Sequence, residues 1–280
     1  MTSFNKICKD IKDLKVQGAE NVAKAGLNAI FIKHDEKSIK KLLSLRSTEP
    51  LLKNCLFRAL SFEDVIEGIH NSLFHLGVSK EAIAKHGANL IRDDSIIFTH
   101  CHSSSVIKIL AEAKKQGKNF SVYSTETRPL FQGRKTARDL LALNIPITHI
   151  IDSAAKHAIK KADLVLFGAD AITDERIYNK IGSDMYALIA KNYNVPVYIA
   201  TDSWKFDYES VYGEETPVEE RNSDEIWKNA PKKLKIENPA FEKIHPTLVT
   251  GIISELGILE HKEFLRRVLI RYPWIKKVKF

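Results

Sequence analysis

Cys101 and Asp170 are the residues of this chain whose types and settings suit proton transfer. Asp170 follows the apolar run Asp163-Leu164-Val165-Leu166-Phe167, which breaks at Gly168-Ala169. A strand buried through Leu, Val, Leu and Phe that ends at a glycine carries the next carboxylate at its C-terminal tip, the edge where open α/β sheets bind ligands. Ile96-Ile97-Phe98-Thr99-His100-Cys101 repeats the pattern and puts a thiol at a second such tip. Asp170 suits a general acid or base if burial raises its pKa. Cys101 precedes Ser103, Ser104 and Ser105, a predicted helix start whose dipole and free N–H groups would cradle a phosphate and draw the thiol towards thiolate. The plainer alternatives stay open: Asp170 as a turn cap, Cys101 as a small buried hydrophobe, Ser103 or Ser104 as a helix cap.

Three further segments after predicted strands offer polar groups. In Thr125–Arg134, Arg128 can grip a phosphate with two hydrogen bonds, and Gly133 would let the backbone approach a ligand beside Gln132. Arg128 reads equally as half of a salt bridge with Glu126. Tyr178-Asn179-Lys180-Ile181-Gly182 supplies an amide and a cation for an oxyanion, and Thr201–Asp207 supplies Lys205. Each signal is weak alone, but four consecutive strand-to-helix loops place them along one sheet edge. That edge suits an anionic substrate and acid/base chemistry. No GxGxxG or GxxxxGK[ST] follows a strand, which excludes dinucleotide and nucleoside-triphosphate sites of standard design.

The elements that must carry these groups follow from a change of hydrophobic period near Asp93. From Phe4 to Arg92 apolar residues recur at helical spacing (Ile7, Ile11 and Leu14; Val22, Ala25, Ala29 and Ile30; Ile39, Leu42 and Leu43; Val65, Ile69, Leu73 and Leu76). Breaks at Gly18, Thr48-Glu49-Pro50 and Gly77-Val78-Ser79 divide this span into four or five helices. Beyond it, short apolar runs at 95–100, 120–125, 147–152, 163–168 and 196–201 alternate with helical segments, the signature of βαβ units. The spacing further predicts an edge strand at Leu234-Lys235-Ile236 and helices over Thr247–Glu255 and Lys262–Arg271. The basic, apolar tail Trp274–Phe280 has no assigned place. The expectation is an α/β fold: a helical N-terminal domain, 1–92, and a Rossmann-like, doubly wound parallel-sheet domain, 93–280.

At 280 residues and 44% hydrophobic, the chain can bury a substantial core. Its net charge of +8 favours an anionic partner, but the lysines are dispersed, which argues against nucleic acid. Three widely spaced cysteines, Cys8, Cys55 and Cys101, point to reduced thiols and a cytoplasmic setting rather than a disulfide frame or zinc site. No run reaches the roughly 20 apolar residues of a membrane span.

The motifs together resemble one superfamily. It holds the alpha, beta and delta subunits of translation initiation factor 2B, methylthioribose-1-phosphate isomerase and archaeal ribose-1,5-bisphosphate isomerase. The resemblance rests on ETRPLFQGRKTARDLLALNIPITHIIDSAA (126–155), GADAI, NKIG, VPVYIATDSWKFD, NPAFEKIHPTLVTGIISELG and KVQGAENVAKAG. The THCHSSS segment and the short N-terminal part are most similar to the ribose-1,5-bisphosphate isomerases. The resemblance implies an aldose–ketose isomerisation of a phosphorylated pentose, ribose 1,5-bisphosphate to ribulose 1,5-bisphosphate, in AMP or nucleoside degradation. It assigns Cys101 and Asp170 to catalysis. Substrate binding falls to Gly18, Arg58, Ser103, Ser104, Arg128, Gln132, Gly133, Asn179, Lys180 and Lys205. No metal or organic cofactor is expected. A homo-oligomer built from dimers, up to a hexamer, and an AMP effector are the implied partners.

The departures lie in the helical half. Gln17 and Asn21 stand where the isomerases carry arginines, and Glu49 replaces the arginine of an STRP-like segment. Each missing charged hydrogen bond is worth roughly 1.5–3 kcal/mol, enough to redirect specificity. The competing reading is a non-catalytic regulator, similar to the initiation-factor subunits, that binds a nucleotide or sugar phosphate; retention of both Cys101 and Asp170 stands against it.

Overall fold

The structure is a computed structural model that describes residues 3–46, 49–213, 216 and 218–278. Five helices come first: α1 (Phe4–Lys12), α2 (Ala19–Ile32), α3 (Glu36–Leu43), α4 (Pro50–Leu60) and α5 (Val65–Ala88). Ser3, Asp35 and Asp64 cap α1, α3 and α5 by accepting from backbone N–H groups, and Pro50 occupies the first turn of α4. The predicted break at 77–79 is absent, because α5 runs straight through it. A mid-helix glycine costs about 1 kcal/mol, and α5 offsets that by packing against α4, α6 and the sheet. Ser47 and Thr48, part of another predicted break, lie outside the described residues.

The remaining elements are β1 (Ser95–Thr99), α6 (Ser104–Lys115), β2 (Phe120–Thr125), α7 (Gln132–Ala142), β3 (Ile147–Ile150), α8 (Ala155–Ile159) and β4 (Leu164–Gly168). Next come β5 (Ala171–Ile172), β6 (Ile177–Lys180), α9 (Ser183–Asn192), β7 (Val197–Ala200), β8 (Phe241–Ile244), β9 (Gly251–Ser254), β10 (Gly257–Leu259) and α10 (His261–Arg271). The main sheet has the order β10-β9-β7-β4-β1-β2-β3, parallel throughout except for β10. Leaving out β10, this is the doubly wound order whose direction of winding reverses between β1 and β4. β5, β6 and β8 form a small antiparallel sheet beside it.

Strand residues alternate between two cores, as a period of two requires. Phe98, Val165, Phe167, Ile199 and Ile252 face a core continuous with α1, α2 and α4. Ile97, Leu164, Leu166, Ala200 and Ile253 face the other, filled by α6 and the end of α5. The α/β expectation holds, with two local corrections. Leu234-Lys235-Ile236 is not a strand, and Thr247–Glu255 is not a helix. The latter begins in a single 3-10 turn (Pro246–Leu248) and its second half is β9, which pairs with β7 and turns at Gly257 (φ 109°) into β10. A strand buried on both faces shows consecutive apolar residues rather than alternation, so its period mimics a helix. The tail also finds its place: Trp274 packs edge-on against Trp204 with ring centroids 4.9 Å apart, and Ile275 is buried.

Candidate functional site

The point where the strand order reverses is occupied by the tips of β1 and β4. Gly168 makes their approach possible. A Cβ there would stand 2.6 Å from Ser103 Oγ and 2.7 Å from Ser103 Cβ. Ser103 meanwhile caps α6 by accepting from the Val106 N–H. Cys101 sits in the left-handed region (φ 66°), pinned by its N–H to Thr127 Oγ1 at 2.9 Å and by its carbonyl, which accepts from Thr136 Oγ1 at 2.7 Å. His100 is buried between Thr125 Oγ1 (2.5 Å) and the Ile181 carbonyl (2.9 Å). The carbonyl requires Nε2 to carry the proton, so Nδ1 accepts from the threonine hydroxyl. Burial holds this imidazole down at about 4, neutral at all physiological pH.

Asp170 follows two residues after the glycine, its backbone N–H bonded to the Tyr178 carbonyl at 2.8 Å. Burial raises its pKa against the opposing pull of Lys205, Lys180 and Arg46. Lys205 rides on a single turn after β7 and donates to the Ala169 carbonyl at 2.5 Å. The helical half holds that turn in place. Asn54 on α4 donates to the Trp204 and Phe206 carbonyls (2.6 and 3.0 Å), and His75 on α5 bonds Asp202 at 3.1 Å while stacking on Trp204. Lys180 is buried at the end of β6, its ammonium over the Phe241 ring, and Asn179 beside it donates to Ser183 Oγ.

These residues surround one cavity of about 420 Å³, within the range of small-ligand sites. Cys101, Asp170, Gly18, Ser103, Ser104, Gln132, Asn179, Lys180 and Lys205 all line it. Gly18 caps α2 with φ 84° and open space where a Cβ would be. Three of the sequence candidates fall elsewhere. Arg58 bonds Asn71 and stacks over Phe62 and Trp274, away from the cavity. Arg128 reaches the Ile226 carbonyl and lies over Phe131. Gly133 is a packing glycine: an added Cβ would stand 1.7 Å from the Thr125 carbonyl oxygen, so the close approach it permits is to β2 rather than to a ligand. The thiol expectation is also corrected. Burial, with Asp170 and Asp152 adding to it and Lys180 opposing, pushes Cys101 up to about 11, and the helix start does not overcome this.

The sequence departures all face the cavity. Gln17 and Asn21 turn their amides onto the Leu14 and Gln17 carbonyls, and Glu49 is buried against Arg46. Arg46, Lys80, Lys135 and Arg221 line the wall without having been singled out from sequence. Lys135 falls within the 126–155 motif, one helical turn from Gln132, whereas Arg46, Lys80 and Arg221 come from scattered segments whose local pattern does not mark them. Among the described residues no helix is long and apolar enough to cross a membrane.

Comparison with known proteins agrees with this architecture. The family model for the initiation factor 2 subunit family matches residues 11–261. Ribose 1,5-bisphosphate isomerase of Thermococcus kodakarensis is 34% identical, the match covering 90% of this chain and 89% of that protein. Methylthioribose-1-phosphate isomerase of Thermosipho melanesiensis is 30% identical over 92% of this chain and 86% of its own length. Among solved structures, translation initiation factor eIF-2B of Pyrococcus horikoshii superposes with a TM-score of 0.82 at 26% identity, covering 92% of this chain and 96% of that one. The chain belongs to the initiation factor 2 subunit family.

Proposed function

We propose that the cavity isomerises ribose 1,5-bisphosphate to ribulose 1,5-bisphosphate, with Cys101 and Asp170 as the catalytic residues. The protein is an enzyme of the sugar-phosphate isomerase kind, as its relatives' names indicate. The observation that carries the finer reading is the convergence of a thiol, a carboxyl and two lysines at the sheet's switch point, around one enclosed cavity.

A phosphate on C1 locks the sugar ring, so opening requires a proton on the ring oxygen. Burial keeps Asp170 inclined to its acid form, ready to donate that proton as the C1–O bond breaks. The C2 hydrogen must then reach C1, and the C2 hydroxyl must lose its proton to become the ketone. A thiol at about 11 is only about one part in 10⁴ thiolate at pH 7, a poor base. We therefore assign the C2 hydrogen to a hydride shift onto C1. Asp170, now a carboxylate, takes the C2 hydroxyl proton and is restored. Cys101 donates its S–H to the oxygen on which charge changes. Lys180 and Lys205 attract the phosphates.

Incubating the protein with ribose 1,5-bisphosphate in deuterium oxide tests both levels by NMR. The expected outcome is ribulose 1,5-bisphosphate without solvent deuterium at C1. Deuterium at C1 overturns the hydride shift in favour of proton transfer through Cys101, and no ketose overturns the substrate. Homo-oligomerisation, an AMP effector and a cytoplasmic setting belong to the same reading.

A further inference from the structure

Arg46 and Glu49 form an ion pair in the cavity wall that is incompletely satisfied. Glu49 is 3% exposed; one carboxylate oxygen accepts from Arg46 Nη2, and the other is buried without a hydrogen-bond partner. Arg46 Nε is likewise buried without one, its other carboxylate neighbour, Glu219, standing 3.7 Å away. Unpartnered buried charge is costly unless a ligand or a proton relieves it. Around Glu49 stand Arg46, Asp170, Lys205 and Glu219; burial first, then the charges of Asp170 and Glu219, outweigh the two cations and push the carboxyl up to about 7.

A count of the cavity's cations gives this pair its significance. Lys80 is held by Glu20 at 2.9 Å, Lys135 by Asp139 at 2.7 Å, and Arg221 by Glu225 at 2.8 Å. Among the described residues, Lys180 and Lys205 are the lining lysines that form no ion pair. Two phosphate groups carry about −3 to −4 at neutral pH, and two lysines cannot match that. Arg46 is a cation already in the wall, and one proton on Glu49 leaves it only the longer 3.7 Å contact with Glu219, which Arg221 also holds.

We propose that Arg46 is a phosphate ligand held in reserve by Glu49: an entering phosphate draws Arg46 away, and Glu49 takes up a proton in exchange. This rests on reading the cavity as a sugar-phosphate site. Phosphate binding is then linked to protonation. Below pH 7 Glu49 is already protonated and binding is at full strength. As pH rises above 7 the affinity falls, approaching 10-fold per pH unit.

The test is titration calorimetry of the full chain with inorganic phosphate, in two buffers of different ionisation enthalpy, from pH 7 to 8.5. At the upper end of this range phosphate itself is mainly the dianion. The wild type should take up close to one proton per phosphate at the upper end of the range. Glu49→Gln should bind more tightly, take up none, and show flat affinity. Arg46→Met should weaken binding roughly 10-fold or more at pH 7. Phosphate binding without proton uptake, uptake unchanged in Glu49→Gln, or no phosphate binding at all overturns the proposal, and the wild-type titration decides even if a variant does not fold. Proton-linked phosphate binding without turnover of ribose 1,5-bisphosphate would defeat the isomerase reading alone. Turnover without proton-linked binding would defeat this one alone.

Discussion

Replacing Asp170 by Asn exchanges one oxygen for an NH₂ and removes the acid while leaving the shape. The fold should tolerate it. The tie between the 170 backbone and Tyr178 runs through the main chain, so the strand-end geometry does not depend on the carboxyl. Stability should not fall either. A carboxyl whose pKa is raised in the folded state binds its proton more tightly there, so it contributes stability below the unfolded pKa near 4 and loses it as pH rises through the folded value. At pH 7 to 8, above the unfolded value, the folded chain must either bury the charge or hold a proton that the unfolded chain releases, so Asp170→Asn should melt at the same temperature or slightly higher. Catalysis is another matter. A positioned general acid contributes about 10²–10⁴-fold, and Asp170 in this scheme gives one proton and takes another. A fall in kcat of about 10³-fold, equivalent to about 4 kcal/mol of barrier, is the expected outcome. Initial rates of ketose formation followed by NMR, beside a thermal melt from pH 6 to 8.5, measure both. A kcat within 10-fold of wild type would refute the assignment of the acid, and a marked drop in melting temperature at pH 8 would refute the account of its burial.

Three further expectations follow from the geometry. Gly133→Ala should unfold or severely destabilise the protein, because its Cβ would overlap a backbone oxygen at 1.7 Å; near-normal melting would show that the loop can yield. Arg58→Ala should lower the melting temperature by a few degrees through lost ring stacking and leave KM for the sugar phosphate unchanged. A several-fold rise in KM would return Arg58 to the binding site. His75 is depressed by burial but raised further by Asp202, for a net raised pKa. Its contribution to stability is therefore full below the unfolded value near 6.5 and declines as pH rises through the folded one. Urea unfolding of His75→Gln should lack that decline, and an unaltered pH profile would place it elsewhere.

The sheet was legible from the sequence because βαβ units write strands and helices in different periods, and because Gly168 and Asp170 stand at the end of a run that can only be buried. Cys101, Asp170 and Lys205 could be grouped for the same reason, as each follows a strand by a few residues, whereas Lys180 ends a strand of its own, β6. β9 was misread because Ile252 and Ile253 are buried on opposite faces, which leaves consecutive apolar residues in place of the apolar–polar alternation that marks a half-buried strand. Gly133 was misassigned because a glycine beside a ligand and a glycine beside a backbone carbonyl look identical in sequence. Arg46 was missed because its role depends on what lies across the cavity, and no local spacing encodes that. The pKa of Cys101 was misjudged in direction, since a helix start is visible in sequence whereas the enclosure around the thiol is not.

The continuous core joining α1, α2 and α4 to the sheet has a consequence for how such a site can change over time. Cys101 and Asp170 come from strand tips, whereas Gln17, Asn21, Arg46 and Glu49 line the same cavity from the helical half. The two sets share a cavity but not a backbone segment. A lineage can therefore retune which sugar it accepts by altering helix-borne residues while the proton-handling apparatus stays untouched.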